Sequence, residues 1–276
     1  MRTGATLKWF DLDSEGRILS NTADEVITER TKIVAVTHVG NTTGAITDIA
    51  PMVKRAHEVG AVVVLDACQS VPHLKIDLHA LDVDFAAWSA HKMYGPTGVG
   101  FLYGKRDMLE ALPPGEFRWI HGGTCWMDQE AQYMAPPARF EAGTQPVAQV
   151  VAAGVAAEWL MNIGMENLEA HERVIAGELL KMGQIDGVRI LGPQTNEQRI
   201  GTVAFEIDGV HPHDVGQFID AQGIAIRVGH HCAQPVHRHF GVYASNRASS
   251  GIYNSVEDAQ ALVEALKKVR PFFGVE

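Results

Sequence analysis

Short β-branched runs alternate with a helical stretch in the first half of the chain. The runs that we expect to form strands are KIVAVTHV (32–39), AVVVLDA (61–67), DVDFAAWSA (82–90) and GVGFLYG (98–104). Apolar spacing of the helical type over IAPMVKRAHEVG (49–60) predicts a helix between the first two strands. This alternation predicts a mostly parallel sheet under helices. Near-continuous apolar strands such as AVVVL also predict burial on both faces of that sheet.

The second half has a different rhythm. It is helical and alanine-rich from Pro146 to about Leu168 and helical again to about Met182, and then VRIL, TVAFEI and IAIRVG read as strands around a helix at 213–221. A last helix is predicted at 256–269. We therefore predict an α/β protein with a large domain over residues 1–150 and a smaller α+β domain over residues 151–276.

Three polar residues follow apolar strands of the predicted first sheet. Asp66 and Ser89 end their strands, and Asn41 comes just after the first one. In open α/β sheets ligands bind at the carboxyl ends of parallel strands. This edge is therefore the predicted ligand site.

Asp66 and Lys92 together indicate a cofactor. A carboxylate at the end of a buried strand is costly unless a cation or strong donors meet it, and Lys92 is followed by a glycine-rich turn that lets backbone approach a ligand. Pyridoxal phosphate (PLP) explains both residues, because the carboxylate keeps the pyridine nitrogen protonated and the lysine binds the aldehyde. Alternatively, Asp66 is a turn residue and Lys92 an ordinary surface lysine.

Charge and cysteine content narrow the class of protein. The chain is 46% hydrophobic and carries a net charge of −10 without a basic cluster, so nucleic acid is not an expected partner. Three widely spaced cysteines fit neither a disulfide framework nor a structural zinc site. No apolar run reaches the roughly 18 residues of a membrane span, so we expect no membrane association and a cytoplasmic location.

The strings THVGNTTG, DACQS, SAHKMYGPTGVG, RFEAGT, RVGHHCAQP and RAS together resemble cysteine desulfurases of the class V aminotransferase family, in the SufS-like branch called group II. The resemblance runs from about residue 5 to the end. It implies fold type I of the PLP-dependent transferases, a homodimer, and conversion of L-cysteine to L-alanine with an enzyme-bound persulfide for iron–sulfur cluster assembly.

By matched position, the resemblance also implies roles for single residues. Lys92 resembles the cofactor-binding lysine, Asp66 the partner of the pyridine nitrogen, and Gln69 the donor to the phenolic oxygen. The remaining cofactor contacts implied are Ser89 and His91 at the phosphate, Asn41 near the ring and the substrate carboxylate, and Gly143 with Thr144 at the phosphate bound by the other subunit.

Cys232 would be the nucleophile that takes the sulfur, since the thiolate is the reactive form of cysteine. Arg247 would bind the substrate carboxylate with its planar fork, and Arg227 would lie close to the same pocket. Alternatively, both arginines form ion pairs at the surface. His230 and His231 precede Cys232, but adjacent residues point apart and no further ligands surround them, so we expect no metal site. Cys68 and Cys125 are interpreted as small apolar residues.

A sulfur acceptor of the SufU or SufE type is the expected protein partner. Family members that deliver sulfur to a zinc-bearing SufU-type acceptor carry a histidine at the position of His213, so we expect His213 to meet that zinc. The alternative is a histidine that only caps the start of its helix.

Two features depart from the family pattern. Family chains are roughly 400 residues long, so this chain is expected to lack their amino-terminal third and to hold an incomplete large domain. The loop at 115–138 is longer and richer in aromatics than expected, with Trp119 and Trp126. Selenocysteine lyase, a non-catalytic partner subunit that needs a second chain, and a generic class V aminotransferase remain alternatives.

Overall fold

The computed structural model describes residues 3–113 and 134–275. The first sheet contains β1 (Ile33–Thr37), β2 (Val62–Asp66), β3 (Phe85–Ser89) and β4 (Gly100–Gly104), hydrogen-bonded in that order. Strands β1, β2 and β3 are parallel, and β4 returns antiparallel to β3. The prediction of a mostly parallel sheet is confirmed.

Three helices accompany this sheet: α1 (Ala23–Val26), α2 (Ala50–Glu58) and α3 (Arg106–Ala111). Helix α2 begins with a proline in its first turn, where the missing N–H costs nothing. It buries Met52, Val53 and Ala56, which share one core with alternate residues of β1 and β2. The covered face of the sheet therefore rests on α2.

The opposite face of the first sheet is largely uncovered by the described residues. Strands β1 and β2 alternate between buried and less buried positions, and Ile33 and Leu102 are 65% and 61% exposed. Ala87 pairs with Leu102 in register and is also exposed. The predicted burial on both faces is wrong for the described residues, because most of the helix and loop cover lies on the other side.

The second half begins with α4 (Val147–Ile163) and α5 (Met165–Leu180), separated at Gly164, which has φ 89°. Its antiparallel sheet has the order β5 (Val188–Leu191), β6 (Thr202–Ile207), β8 (Ser245–Ser249) and β7 (Arg227–Gly229). Its remaining helices are α6 (Pro212–Asp220), α7 (Gln234–His239), α8 (Val256–Leu266) and α9 (Val269–Phe273).

Polar contacts join the two halves of the chain. His73, after β2, lies 2.7 Å from the nearly buried carboxylate of Glu172 on α5. Gly44 approaches so closely that a Cβ atom there would lie 2.3 Å from the carbonyl oxygen of Thr202 at the start of β6. The loop after β1 is therefore fixed against the second sheet.

Helix α4 carries apolar side chains on its exposed side. Val147, Val151, Val155 and Trp159 follow one another at intervals of four residues and remain well exposed. In the described ranges no single helix is long and apolar enough to cross a membrane. Helix α4 and the segment Met165–Gln184, bent by 77° at the break, have sufficient length and apolar composition only when they are taken together.

Candidate active site

The carboxyl edge of the first sheet carries the first group of predicted site residues. Asp66 is the last residue of β2, Ser89 is the last of β3, and Lys92 closes a single 3₁₀ turn that follows β3 directly. Because β2 and β3 are parallel neighbours, both strands end at the same edge. The structure thus brings Asp66, Ser89 and Lys92 together, as their spacing predicted.

Asp66 is exposed, and its Oδ1 atom accepts a hydrogen bond of 2.9 Å from the backbone N–H of Cys68. The expectation of a carboxylate desolvated at the end of a buried strand is therefore wrong in the described chain. The reason is that Asp66 lies on the uncovered face of its strand, at the edge of the sheet. Solvent and a local turn satisfy it without a cation.

Lys92 is also exposed, and its ammonium group makes neither a hydrogen bond nor an ion pair within the described residues. The turn behind it is tight, since a Cβ atom on Gly95 would lie 2.9 Å from the carbonyl oxygen of Ala90. Glycine at this position is therefore required by the close approach of backbone. The turn fixes the backbone of Lys92 while leaving its amine accessible.

Cys68 lies within this group, which sequence patterns did not indicate. Burial, and then the neighbouring Asp66 carboxylate, raise the pKa of the Cys68 thiol, while Lys92 and Ser89 act in the opposite direction. The position of Cys68 two residues after Asp66 is the sequence feature that could have indicated this. Cys68 is thus a protonated, half-buried neighbour of the two residues that indicate a cofactor.

A second group forms around Arg247 on β8. Its Nη1 atom donates a 3.0 Å hydrogen bond to the carbonyl oxygen of Asn41, and the Asn41 side-chain amide donates one of 2.6 Å to the carbonyl oxygen of His231. Asn41 follows β1, so it links the edge of the first sheet to the second sheet. The structure therefore joins the two groups of predicted residues through Asn41.

Arg227 and Arg247 are direct partners across β7 and β8. Both line an open pocket of about 460 Å³. Burial, followed by the like charge of Arg227, lowers the pKa of Arg247, and the Nε atom of Arg247 is buried without a partner among the described residues. Two guanidinium groups in one pocket favour an anionic group such as a carboxylate.

Cys232 lies on the loop between β7 and α7. Its side chain is exposed and interacts electrostatically with the guanidinium group of Arg247. His231 and Cys232 have φ angles of 51° and 60°, a left-handed conformation that non-glycine residues adopt at a cost. The surrounding contacts must hold this loop in place.

Buried polar contacts provide that hold. The Nε2 atoms of His231 and His237 lie 3.0 Å and 2.9 Å from the same hydroxyl, that of Ser245 on β8. Burial, and then the positive charge of Arg247, lower the pKa of His231 to about 4. Sequence reasoning missed Ser245 and His237, because no pattern indicated that these side chains share a contact.

Other predicted residues lie apart from these contacts. Gln69 is half-buried in the turn after β2, and His91 and Thr144 are exposed, the latter beside Gly143 ahead of α4. His213 is exposed at the start of α6, where its ring stacks on that of His211 at 5.5 Å. Within the described residues, none of these side chains makes a hydrogen bond to either group.

Some predictions lie on parts that the structure leaves aside. Cys125, Trp119 and Trp126 fall outside the described residues, as does most of the loop at 115–138. The described ranges contain no group of three or more histidine, cysteine, aspartate or glutamate side chains suited to a metal ion.

Comparison with known proteins identifies the class. The family described as "Aminotransferase class-V" matches residues 1–262, and this chain belongs to that family. Its relatives include the probable cysteine desulfurase 2 of Mycobacterium leprae, 47% identical over the whole chain, and the probable cysteine desulfurase of Streptomyces coelicolor, 45% identical over 99% of it. The chain spans 65% of the length of each of these two relatives.

Solved structures agree with this assignment. The crystal structure of the cysteine desulfurase CsdA from Escherichia coli is 33% identical and superposes with a TM-score of 0.92, covering 98% of this chain and 67% of that one. The cysteine desulfurase of Thermococcus onnurineus superposes with a TM-score of 0.91 at 31% identity. The predicted fold class, an α/β fold of the class V aminotransferase type, is confirmed.

Proposed function

We propose that this chain is the catalytic part of a PLP-dependent cysteine desulfurase of the SufS-like type, which converts L-cysteine to L-alanine and leaves a persulfide on Cys232. The proposal rests on two hydrogen bonds of Asn41, one accepted by its carbonyl oxygen from Arg247 and one donated by its side-chain amide to His231. They hold Arg247 and the Cys232 loop against the sheet edge that bears Asp66 and Lys92. Substrate binding and sulfur capture would then occur beside the cofactor lysine.

The chemistry of the residues at this edge fits PLP. A free amine at Lys92 can bind the aldehyde, and the accessible carboxylate of Asp66 can pair with the pyridine nitrogen. Gln69 supplies an amide for the phenolic oxygen, and Ser89 and His91 supply donors for the phosphate. Thr144 would reach the phosphate of a second subunit.

The pocket beside β7 and β8 would bind the substrate through its carboxylate. Arg247 and Arg227 present two cations in that pocket, and the planar guanidinium fork matches a carboxylate in two hydrogen bonds. Asn41, which already contacts Arg247 through its carbonyl oxygen, would complete this end of the site. The amino acid would thereby be oriented with its sulfur toward Cys232.

When bound, PLP supplies an electron sink that makes the α-proton of the substrate acidic. Lys92 would take that proton, and the Cys232 thiolate would attack the substrate sulfur. The bond between Cβ and sulfur breaks, its electron pair stays with carbon, and a proton completes the methyl group of alanine. L-cysteine and the thiol thus give alanine and a persulfide without an external oxidant.

An acceptor of the SufU or SufE type would take the persulfide onward to iron–sulfur cluster assembly, in the reducing cytoplasm where thiols persist. His213 is exposed beside His211 and is free to meet a zinc ion held by such an acceptor. His213→Ala should reduce acceptor-stimulated turnover and leave basal turnover intact. Unchanged stimulation would remove His213 from this role.

Visible absorption of the purified chain with added PLP tests the cofactor assignment. We expect the absorption band of lysine-bound cofactor, a change of that band on adding L-cysteine, and formation of alanine. Lys92→Ala should abolish the band, whereas Lys54→Ala, which removes an exposed lysine on α2, should keep it. A band that survives Lys92→Ala would exclude Lys92 as the cofactor lysine.

We propose as a second candidate that the chain is a subunit whose cofactor site is completed by another polypeptide. The uncovered face of the first sheet favours it, since parallel sheets are normally covered on both faces. The probe is the part of the Mycobacterium leprae relative that this chain does not match. If the cofactor band forms only with that probe, and Leu102→Lys prevents it while Leu7→Lys does not, this candidate leads.

A further inference from the structure

The buried contacts of His231, Ser245 and His237 have a defined direction. The Nδ1 atom of His237 lies 3.0 Å from the carbonyl oxygen of Ala233, which can only accept, so Nδ1 carries a proton. In the neutral imidazole the Nε2 atom of His237 is then an acceptor. The Ser245 hydroxyl therefore donates its single proton to His237.

This direction fixes the tautomer of His231. Because the Ser245 proton is committed to His237, the Ser245 oxygen accepts from His231, whose Nε2 atom must carry the proton. The Nδ1 atom of His231 is left with a lone pair, and among the described residues this buried atom has no partner. One hydroxyl thus settles the proton positions of two histidines.

The same histidine anchors the loop of Cys232. Its carbonyl oxygen accepts from Asn41, and its ring is held by Ser245, which lies two residues before Arg247 on β8. Left-handed φ angles at two successive non-glycine residues are strained and persist only when such contacts impose them. The ring contact therefore has a role beyond filling space.

We propose that Ser245 and His237 are positioning residues that fix the Nε2-protonated tautomer of His231 and so hold Cys232 beside the guanidinium group of Arg247. This inference rests on the proposed desulfurase function for its significance but not for its test. Loss of the contacts among Ser245, His237 and His231 should release the Cys232 loop from this conformation, move the thiol away from Arg247 and slow its reactions.

Two measurements that need no cofactor test the proposal. In ¹⁵N NMR spectra of histidine-labelled protein, with the His231 signals assigned by their loss in His231→Gln, we expect the Nε2-protonated tautomer in the native chain and in Ser245→Thr. Ser245→Ala should give mixed tautomers. His237→Leu frees the Ser245 proton to point toward His231 and should shift the population toward Nδ1 protonation.

Alkylation of Cys232 by iodoacetamide at pH 7, followed by peptide mass spectrometry, is the second measurement. We expect Ser245→Ala to slow it by about fivefold as the loop moves the thiol away from Arg247, and Ser245→Thr to keep the native rate. Ser255→Ala is the matched control. It removes the hydroxyl that caps α8, and Ser255 makes no hydrogen bond to Ser245, His237 or His231. It should destabilise the chain while leaving the alkylation rate unchanged.

A native tautomer and native alkylation rate in both Ser245→Ala and His237→Leu would overturn the proposal. If Ser245→Ala fails to fold, the His231 tautomer and the alkylation rate in His237→Leu alone decide. Absence of desulfurase activity would count against the proposed function only, since neither measurement requires cofactor or turnover.

Discussion

His231 combines a buried ring with two nearby guanidinium groups, so its neutral form is strongly favoured in the folded chain. An unfolded histidine titrates near pH 6.5, whereas the folded pKa is about 4. Above pH 6.5 both states are neutral and His231 adds no pH dependence. Between pH 6.5 and 4 only the unfolded state takes up the proton, so stability falls as the pH falls.

We therefore expect the free energy of unfolding to decrease by about 3 kcal/mol through His231 alone as the pH falls through this window. Urea unfolding at pH 7, 6, 5 and 4 measures the decrease. His231→Gln should flatten the slope, whatever its effect at pH 7, while the parallel contribution of the buried His38 remains. Equal slopes in both proteins would contradict the assignment.

The two described cysteines should differ in reactivity. Burial and the Asp66 carboxylate hold the Cys68 thiol in its protonated form, whereas Cys232 is exposed and lies beside Arg247. Iodoacetamide at pH 8 should modify Cys232 well before Cys68, as measured by mass spectrometry of the peptides against time. Cys232→Ser should lose the fast modification, and Cys68→Ser should keep it.

At the scale of single residues, the sequence predicted which residues lie near one another better than it predicted their contacts. Asp66, Lys92, Asn41 and Arg247 were found from strand ends and motif strings, and the structure brings them to two linked groups. The shared hydroxyl of Ser245 was not predicted. It joins side chains separated by 8 and 14 residues through an irregular loop, which has no periodicity to detect.

Among the elements, the loop between β1 and α2 determines how the two sheets meet. Gly44 in this loop has φ 71° and contacts backbone of the second half, and its carbonyl oxygen accepts a 2.9 Å hydrogen bond from Ile200. The same loop carries Asn41. Its fit against β6 therefore sets the position of a predicted substrate contact.

Gly44→Ala should destabilise the chain by roughly 3 kcal/mol or more, because a left-handed φ and a backbone clash add together. Gly60→Ala is the matched control, since Gly60 has φ 72° but nothing within 4 Å of the added carbon. It should cost only about 1 kcal/mol. Chemical denaturation of both variants gives the comparison, and equal losses would show that the contact is not tight.

Element boundaries were predicted unevenly. The strands of the first sheet and helix α2 lie within the predicted ranges, because apolar runs and helical spacing are strong local signals. Strand β8 was missed, since SNRAS is polar although Ser245 and Asn246 are fully buried between β6 and β7. The first long helix ends at Ile163 instead of near Leu168, because the positive φ of Gly164 interrupts it.

At the scale of the whole molecule, α4 presents exposed apolar side chains on one side. The expected homodimer stays a prediction, and the exposed stripe formed by Val147, Val151, Val155 and Trp159 is where we expect its contact. Val151→Glu combined with Val155→Glu should shift the chain toward monomer in light scattering after size-exclusion chromatography. Leu7→Glu, at another exposed apolar position, should leave the mass unchanged.

The class of the fold was predictable at this scale, but the cover of the first sheet was not. Alternating β-branched residues look the same whether a face is covered by helices or left open. The boundary predicted at residue 150 stays a prediction, although the mostly parallel sheet lies before it and the antiparallel sheet lies after it.

The pairing of Arg227 with Arg247 bears on how this protein can change over evolution. Like charges placed directly opposite each other on neighbouring strands work against folding, so the pocket is a locally frustrated part of an otherwise consistent fold. Substitutions that relieve this repulsion would increase the stability of the fold and weaken the attraction of the pocket for a carboxylate. If these two arginines bind the substrate as proposed, selection for stability and selection for substrate affinity oppose each other at these positions.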